Sequence, residues 1–433
     1  MERKITLFLQ KWKKDLLRKP LLIYGSKQIG KTYTVLEFGK TEYKNIVYFN
    51  TDNYKELVEV FKKEKTIDRL IMNFSLLSQE TIFPNDTLII FDNVNDINIV
   101  KGIKLFSKEK NNYHIIMITS RRENLLTFKG EELQYKNMYH LDFEEFLWAI
   151  GKKQLAEYIK DSYKTSKAMP FHAMAQEIYL EYLKIGGLPE AVLAYLSNKG
   201  AIEINIIHQK ILDTYQKELS NINTLIDITR SIEVLKSIPY QFLKDNKKFQ
   251  YGVIGAGRRS KEYEKALESI VNNQLAYRSY KVMNIKSPLT SCRDKDSFKL
   301  YLNDTALLYT MIHANIKNLL MDTSVRMILY ENDLANVLIE AGYSLNYYQS
   351  EGKAEVNFVV QNRLGQMIPI EILTKNNSKS KSLSLFLSRF TVKEAIRVTE
   401  DNFDMKKNIR YIPIYAIFCL KEGIKWNRLF WQF

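Results

Sequence analysis

Gly25-Ser26-Lys27-Gln28-Ile29-Gly30-Lys31-Thr32 follows the apolar run Leu21-Leu22-Ile23-Tyr24 and opens a stretch of helical pattern that reaches about Phe38. The octet fits G-x-x-x-x-G-K-[ST], and a strand before it with a helix after it is the context that motif needs. Glycines let successive backbone N–H groups curl around an anion, and the start of a helix adds a favourable dipole. Lys31 is expected to reach the β- and γ-phosphates, and the Thr32 hydroxyl to ligate Mg²⁺. All eight residues, Gly25 through Thr32, are therefore candidate phosphate-binding positions, with ATP and Mg²⁺ as cofactors.

Such a loop needs a partner strand ending in an acid, and Thr87-Leu88-Ile89-Ile90-Phe91-Asp92 supplies one. Asp92 is the expected holder of Mg²⁺ together with Thr32. Many phosphate-loop ATPases place Glu next, to activate the attacking water; here the position is Asn93. An amide holds a water by hydrogen bonds but accepts no proton, so binding is better supported than hydrolysis. A further run, 113–118, leads into Thr119-Ser120, where the Ser120 hydroxyl is placed to sense a γ-phosphate, followed by Arg121-Arg122. Apolar runs at 21–24, 45–49, 87–91 and 113–118 alternate with helical segments, the rhythm of a parallel sheet covered on both faces.

Composition narrows the class. The chain has 433 residues, 45% hydrophobic and 26% charged, enough for several domains with cores of their own. Cys292 and Cys419 match no metal or redox spacing, so a reducing cytoplasm is the expected home and a disulfide framework is excluded. The five histidines lack ligand spacing, and no zinc site is readable. No run of 18 apolar residues occurs, and the start lacks a signal-peptide core, so no membrane is expected. A net charge of +15 invites a polyanionic partner such as DNA, with solvated surface charge as the plain alternative. The window 243–300 concentrates it, with 13 basic against 6 acidic residues.

Residues 1–19 read as an amphipathic helix, with Ile5, Phe8, Leu9, Trp12 and Leu16 on one face. Residues 160–220 read as helices broken at Gly186-Gly187-Leu188-Pro189-Glu190. Residues 229–285 read as two helices, a Gly-rich turn and a third helix that carries Tyr263 through Leu275 behind the basic entry Arg258-Arg259-Ser260-Lys261. A small winged, DNA-binding-like domain accounts for that order. From about 322 come a helix, Val325 to Ala341, and strands at 344–348, 354–360, 367–372 and 413–418. A helix, a small sheet and acids on successive strands suggest a restriction-nuclease-like core.

The whole chain resembles a prokaryotic family of AAA-type ATPases fused to a carboxy-terminal domain of unknown function, the one numbered 4143. The matching pieces come in the family's order between about residues 15 and 420: the phosphate loop; I-I-F-D-N-V-N; T-S at the end of the next strand; D-F-E-E-F-L at 142–147; Y-L-K-I-G-G-L-P-E at 182–190; S-I-P-Y-Q at 237–241; F-K-L-Y-L-N-D-T-A-L-L at 298–308; Y-E-N at 330–332; A-E-V-N-F at 354–358; and I-E-I-L at 370–373. The resemblance implies an α/β chain: an AAA-like P-loop NTPase domain with a parallel sheet and helices on both faces (1–165), a helical lid or connector (166–225), a winged-helix-like domain (226–315) and a small α/β restriction-endonuclease-like domain (322–433).

The chain departs from that family at three places. Asp-Glu becomes Asp92-Asn93, and the usual Gly-Arg pair has only Lys129-Gly130 nearby. In the nuclease-like part, E-V-D-F and E-V-K become Glu355-Val356-Asn357-Phe358 and Glu371-Ile372-Leu373. Cleavage there needs an acidic pair for the metal and a lysine for the water. Asn357 and Leu373 remove one of each, leaving Glu331, Glu355 and Glu371 as a degenerate site, with Lys375 the nearest substitute lysine. The expected function is thus a slow ATPase coupled to nucleic acid or a protein partner, with no nuclease activity; the alternative is a non-hydrolysing, ATP-gated binding module.

Overall fold

The computed structural model describes residues 1–108, 112–120, 132–220, 224–244, 246–312, 322–351, 354–374 and 381–421. The chain forms two compact units, Met1–His140 with Asn272–Gln274, and Leu141–Val271 with Leu275 onward.

The first unit runs α1 (Lys4–Lys14), β1 (Leu21–Tyr24), α2 (Lys31–Glu42), β2 (Asn45–Asn50), α3 (Glu56–Lys63), α4 (Ile67–Ser78), β3 (Thr87–Asp92), α5 (Ile97–Ile103), β4 (His114–Thr119) and β5 (Gln134–Asn137). The five strands are all parallel, in the order β2-β3-β4-β1-β5. Every residue of β3 and β4 is buried, as in a sheet covered on both faces. Phe49, Phe61, Phe74 and Phe91 fill the core on one side, with the Phe49 and Phe91 rings stacked 5.3 Å apart. The fourth predicted run is shifted by one, to 114–119, and β5 was missed because Gln-Tyr-Lys-Asn has no apolar run.

The expected helix over 1–19 stops at Lys14. Asp15 turns the chain by accepting the Leu17 N–H on Oδ1 at 3.0 Å, and Pro20 discourages any continuation. Leu16, expected on the buried face, is 92% exposed, while Ile5, Leu9 and Trp12 are buried.

The second unit begins with helices α6 (Phe143–Ala149), α7 (Lys153–Thr165), α8 (His172–Ile185), α9 (Pro189–Leu196), α10 (Ala201–Ser220) and α11 (Leu225–Phe242). Asp142 caps α6 by accepting the Glu145 N–H at 2.9 Å, and Pro189 takes the first position of α9. One turn at Tyr251–Ile254 leads to α12 (Ser260–Asn272) and the hairpin β6 (Ala276–Val282) and β7 (Arg293–Leu302). The third helix therefore ends before Leu275, which is buried outside it, and residues 276–282 are strand rather than helix. Buried side chains at 263, 266, 267 and 270 follow the helical period; beyond 272 the pattern changes to that of a strand.

After α13 (Thr305–Ile312) and α14 (Thr323–Glu340) come β8 (Asn346–Gln349), β9 (Glu355–Val356), β10 (Phe358–Gln361), β11 (Met367–Ile372), α15 (Ser382–Arg389), β12 (Ala395–Thr399), β13 (Asp404–Lys406) and β14 (Ile409–Pro413). The single strand expected over 354–360 divides at Asn357. Its first half joins a four-stranded sheet, β7-β6-β8-β9, and its second half a five-stranded sheet, β10-β11-β12-β14-β13. Asn357 accounts for the break, because its Oδ1 accepts the Ile372 N–H at 2.9 Å in place of a ladder bond. Strand β6 pairs in parallel with β8, so the hairpin that follows the three helices shares a sheet with the segment after α14. The run 413–418 was expected as a strand; Ile414–Lys421 is a 3₁₀ helix. Ile414 through Leu420 are all buried, so the run carries no period to separate strand from helix.

Candidate functional site

Strand β4 lies between β1 and β3, so the loop after β1 and the acid ending β3 flank the end of one intervening strand. Tyr24, just before the loop, is in register with Thr119, and Phe91 with Met117. Ser120 therefore emerges between the phosphate loop and Asp92, and is half-buried.

The loop is built for a tight curl. Gln28 and Gly30 have φ of 63° and 87°, left-handed values that Gly adopts freely and other residues at a cost. A β-carbon at Gly25 would collide with the Met138 carbonyl oxygen, so only glycine lets β1 turn so close to the chain after β5. Gly30 is the N-cap of α2, whose first N–H groups have no partner within the helix and point toward the loop. Lys31 is buried, and its ammonium donates to the carbonyls of Gly25 at 2.9 Å and Ser26 at 2.7 Å. Arg3, also buried, clamps the loop from outside by donating to the carbonyls of Ile29 at 3.1 Å and Tyr139 at 2.6 Å.

Thr32 Oγ1 donates to Asp92 Oδ2 at 2.7 Å, and the Tyr48 hydroxyl donates to the same oxygen at 2.9 Å. Burial, and then the hydrogen bond to Asp92, holds the Tyr48 phenol above its ordinary pKa, which keeps it the donor. Asp92 Oδ1 accepts the Asn93 N–H at 2.8 Å. Asn93 has φ of 56°, a conformation asparagine tolerates better than most residues. Its side-chain amide donates to Asn50 Oδ1 at 3.4 Å, and its carbonyl accepts the Thr51 hydroxyl at 2.7 Å. A glycine cradle, a buried ammonium, and a hydroxyl and a carboxylate already facing each other form a donor set that suits a nucleotide phosphate with a hard cation. Arg3, Tyr48, Asn50 and Thr51 were not read from the sequence, because each reaches the site across strands and leaves no local pattern. Arg121, Arg122, Lys129 and Gly130 lie outside the described residues.

The second candidate site is arranged differently. Glu331, on α14, is fully buried; it accepts from Lys247 at 2.7 Å, Lys299 at 2.9 Å and the Tyr301 hydroxyl at 2.6 Å. Glu355, on β9, accepts from the same Lys299 at 2.5 Å. Burial raises the Glu331 carboxyl, but the charges of Lys247 and Lys299 outweigh it and hold the group well below the usual range. Glu371, on β11, pairs instead with Arg397, opposite it on β12, at 3.0 Å and accepts the Leu383 N–H. Leu373 is buried and Asn357 holds the backbone of Ile372. Each of the three carboxylates thus has a protein cation, and among the described residues no group of three His, Cys, Asp or Glu is placed to hold a metal. Lys375 lies outside the described residues.

The basic window is partly spent inside the fold. Lys247 and Lys299 neutralise buried acids, Lys248 donates to the Ser297 hydroxyl, and Arg293 donates to Asn346. Arg258 is 44% exposed and pairs with Glu233 at 3.4 Å, while Arg259 and Lys261 are exposed. The outer face of α12 mixes Lys261 and Lys265 with Glu262, Glu264 and Glu268. No described helix is long and apolar enough to cross a membrane.

Residues 17–147 match the model of an AAA domain, residues 176–318 that of a domain of unknown function numbered 8612, and residues 328–417 that of a domain of unknown function numbered 4143. No curated protein matches the chain. Among solved structures, a Walker-type ATPase of Pyrococcus abyssi is 12% identical with a TM-score of 0.42, over 72% of this chain and 95% of that one. The ORC1 protein of Aeropyrum pernix, in complex with DNA, is 10% identical with a TM-score of 0.32, over 72% and 93%. Drosophila ORC bound to DNA is 12% identical with a TM-score of 0.26, over 72% and 95%. At those scores the assignment stands on the sheet order, the phosphate loop and the domain models. The chain carries an AAA domain over residues 17–147 and the domain of unknown function 4143 over residues 328–417, the pairing its motifs resembled.

Proposed function

We propose that this protein binds ATP with Mg²⁺ through Gly25–Thr32 and Asp92, turns it over slowly, and couples nucleotide state to contact with a nucleic acid or a protein partner. The observation that carries this reading is the 2.7 Å hydrogen bond from Thr32 to Asp92, formed across the end of β4 beside the buried Lys31. ATP, when bound, supplies the reactive phosphoanhydride, and Mg²⁺ spreads its charge. Gly25 and Gly30 let the backbone N–H groups converge, Lys31 offers its ammonium, and Thr32 and Asp92 offer oxygens to the metal. Asn93, steadied by Asn50, orients a water but takes no proton, so attack proceeds without a general base. The Ser120 hydroxyl reports on the terminal phosphate.

A second reading has a specific observation in its favour. Asn93 in place of an acid supports an ATP-gated binding module without useful turnover. Phosphate release measured with and without DNA separates the two. Release stimulated by DNA and absent in Lys31→Ala supports the coupled ATPase; ATP binding without release supports the gated module; no ATP binding sinks both. A polyanion would meet the entry to α12 at Arg258, Arg259 and Lys261 rather than the mixed outer face of that helix. The carboxylates of Glu331, Glu355 and Glu371 serve structure in this reading, not cleavage.

A further inference from the structure

Among the described residues of the second unit, Lys299 is the most fully buried lysine ammonium that bridges two acids: its side chain is 1% exposed, and it sits 2.9 Å from Glu331 and 2.5 Å from Glu355. It comes from β7, between an acid on α14 and an acid on β9, and the two acids have no sequence relation to it. Two carboxylates converging from different elements on one buried positive charge is the arrangement by which proteins hold a hard divalent cation with oxygen ligands. The Tyr301 hydroxyl adds a further oxygen, donating to Glu331 at 2.6 Å. Tyr347 stands beside the pair: the Lys299 ammonium lies 4.9 Å from its ring centroid, and its hydroxyl is buried without a hydrogen-bond partner.

We propose that the Lys299 ammonium takes the place of a divalent cation between Glu331 and Glu355, so that the site is closed to metal in this chain and opens to Mn²⁺ or Mg²⁺ when that side chain is removed. The inference rests on reading the carboxylate cluster as non-cleaving. Charge balance decides the outcome. Glu331 and Glu355 are matched by Lys299 and Lys247, so an added divalent ion would leave the buried cluster with two uncompensated positive charges, which burial penalises heavily. Without Lys299, Glu331 keeps Lys247, which is 20% exposed and has solvent to swing into. The vacated space is then anionic, lined by the two carboxylates and the Tyr301 hydroxyl, and oxygen ligands of that kind favour Mg²⁺ and Mn²⁺ over softer ions.

The test is Mn²⁺ binding to the full chain without nucleotide, read by the paramagnetic signal of free Mn²⁺ and by thermal melting. Wild type, Lys299→Ala and Lys299→Ala/Glu331→Gln are compared, the double variant keeping the phosphate loop and so showing any binding that does not depend on Glu331. The expected result is a new Mn²⁺ site in Lys299→Ala, at least tenfold tighter than anything Glu331-dependent in wild type, a rise in melting temperature with Mn²⁺, and loss of both in the double variant. A folded Lys299→Ala that gains no Mn²⁺ site, or a wild type that already binds Mn²⁺ through Glu331, overturns the proposal. Should Lys299→Ala fail to fold alone, it is refolded in Mn²⁺: recovery that needs Glu331 supports the proposal and no recovery overturns it. Cleavage of DNA by wild type in Mn²⁺, abolished by Glu371→Ala, would overturn the non-cleaving reading alone.

Discussion

The Thr32 hydroxyl and the Asp92 carboxylate, sixty positions apart in the chain, are joined by a 2.7 Å hydrogen bond. Thr32 is the second residue of α2 and Asp92 the last of β3, so the contact exists only because β4 holds the two ends at the right spacing. A hydroxyl that donates to a carboxylate keeps its lone pairs for a cation, which is what the proposed Mg²⁺ role asks of the pair.

Lys31→Ala removes the ammonium held over the loop. ATP binding is expected to weaken by about 2–4 kcal/mol, the range for losing one partner of a desolvated charge contact, or roughly 30- to 700-fold. Titration calorimetry on a variant shown to be folded checks it; unchanged affinity would mean that ATP binds elsewhere.

Tyr48→Phe keeps the ring and removes one of the two donors on Asp92 Oδ2. With a typical net hydrogen-bond contribution of about 1 kcal/mol, the Mg²⁺ needed for half-saturation should rise several-fold, with nucleotide affinity in a chelator unchanged. A loss of affinity in the chelator as well would assign Tyr48 to holding the loop rather than the metal ligand.

Asn93→Glu should raise phosphate release, because it places a base next to the Asp92 position. The same change has a cost: φ of 56° suits asparagine, and another side chain there loses on the order of 1 kcal/mol. Faster turnover with a lower melting temperature is the expected pair of results. Wild-type turnover that is already rapid, and indifferent to the substitution, would show that another residue activates the water.

Replacing Arg258 and Arg259 by Ala should weaken DNA binding and make its dependence on log salt shallower by about 1, with no change in sequence preference. Most of the effect is expected from Arg259, since Arg258 is already paired with Glu233. DNA binding that ignores salt would remove the polyanion reading.

His114 sets an acid limit. Burial, followed by the positive charges of Arg18 and Lys13, lowers its pKa to about 3, against 6.5 in an unfolded chain. Its Nδ1 is engaged by the Tyr43 hydroxyl at 2.6 Å, and Nε2 is buried without a partner, so a second proton has no acceptor. Between those two values the unfolded chain carries the extra proton. The stability is therefore present above pH 6.5 and declines as the pH falls toward 3. Melting temperatures across that window should fall less steeply in His114→Phe than in wild type; parallel slopes would mean that His114 does not carry the acid sensitivity.

What the sequence by itself determined is what contiguous residues encode: the phosphate loop with strand before and helix after, the apolar strand ending in Asp92, and the parallel sheet implied by alternating runs. Each of these is a local pattern whose chemistry follows from residue type and spacing. Tertiary structure decided the rest, because it depends on which strands become neighbours and in what register. Arg3 reaches the loop across 26 residues to Ile29 and 136 to Tyr139. Tyr48 meets Asp92 only because β2 lies beside β3. Asn357 reads as an ordinary position within a strand until its side chain is seen to replace a backbone bond and split that strand between two sheets. Lys299 reads as one of many surface lysines in a basic chain; only the convergence of α14, β7 and β9 buries it between two acids and turns a surplus charge into an internal counter-ion.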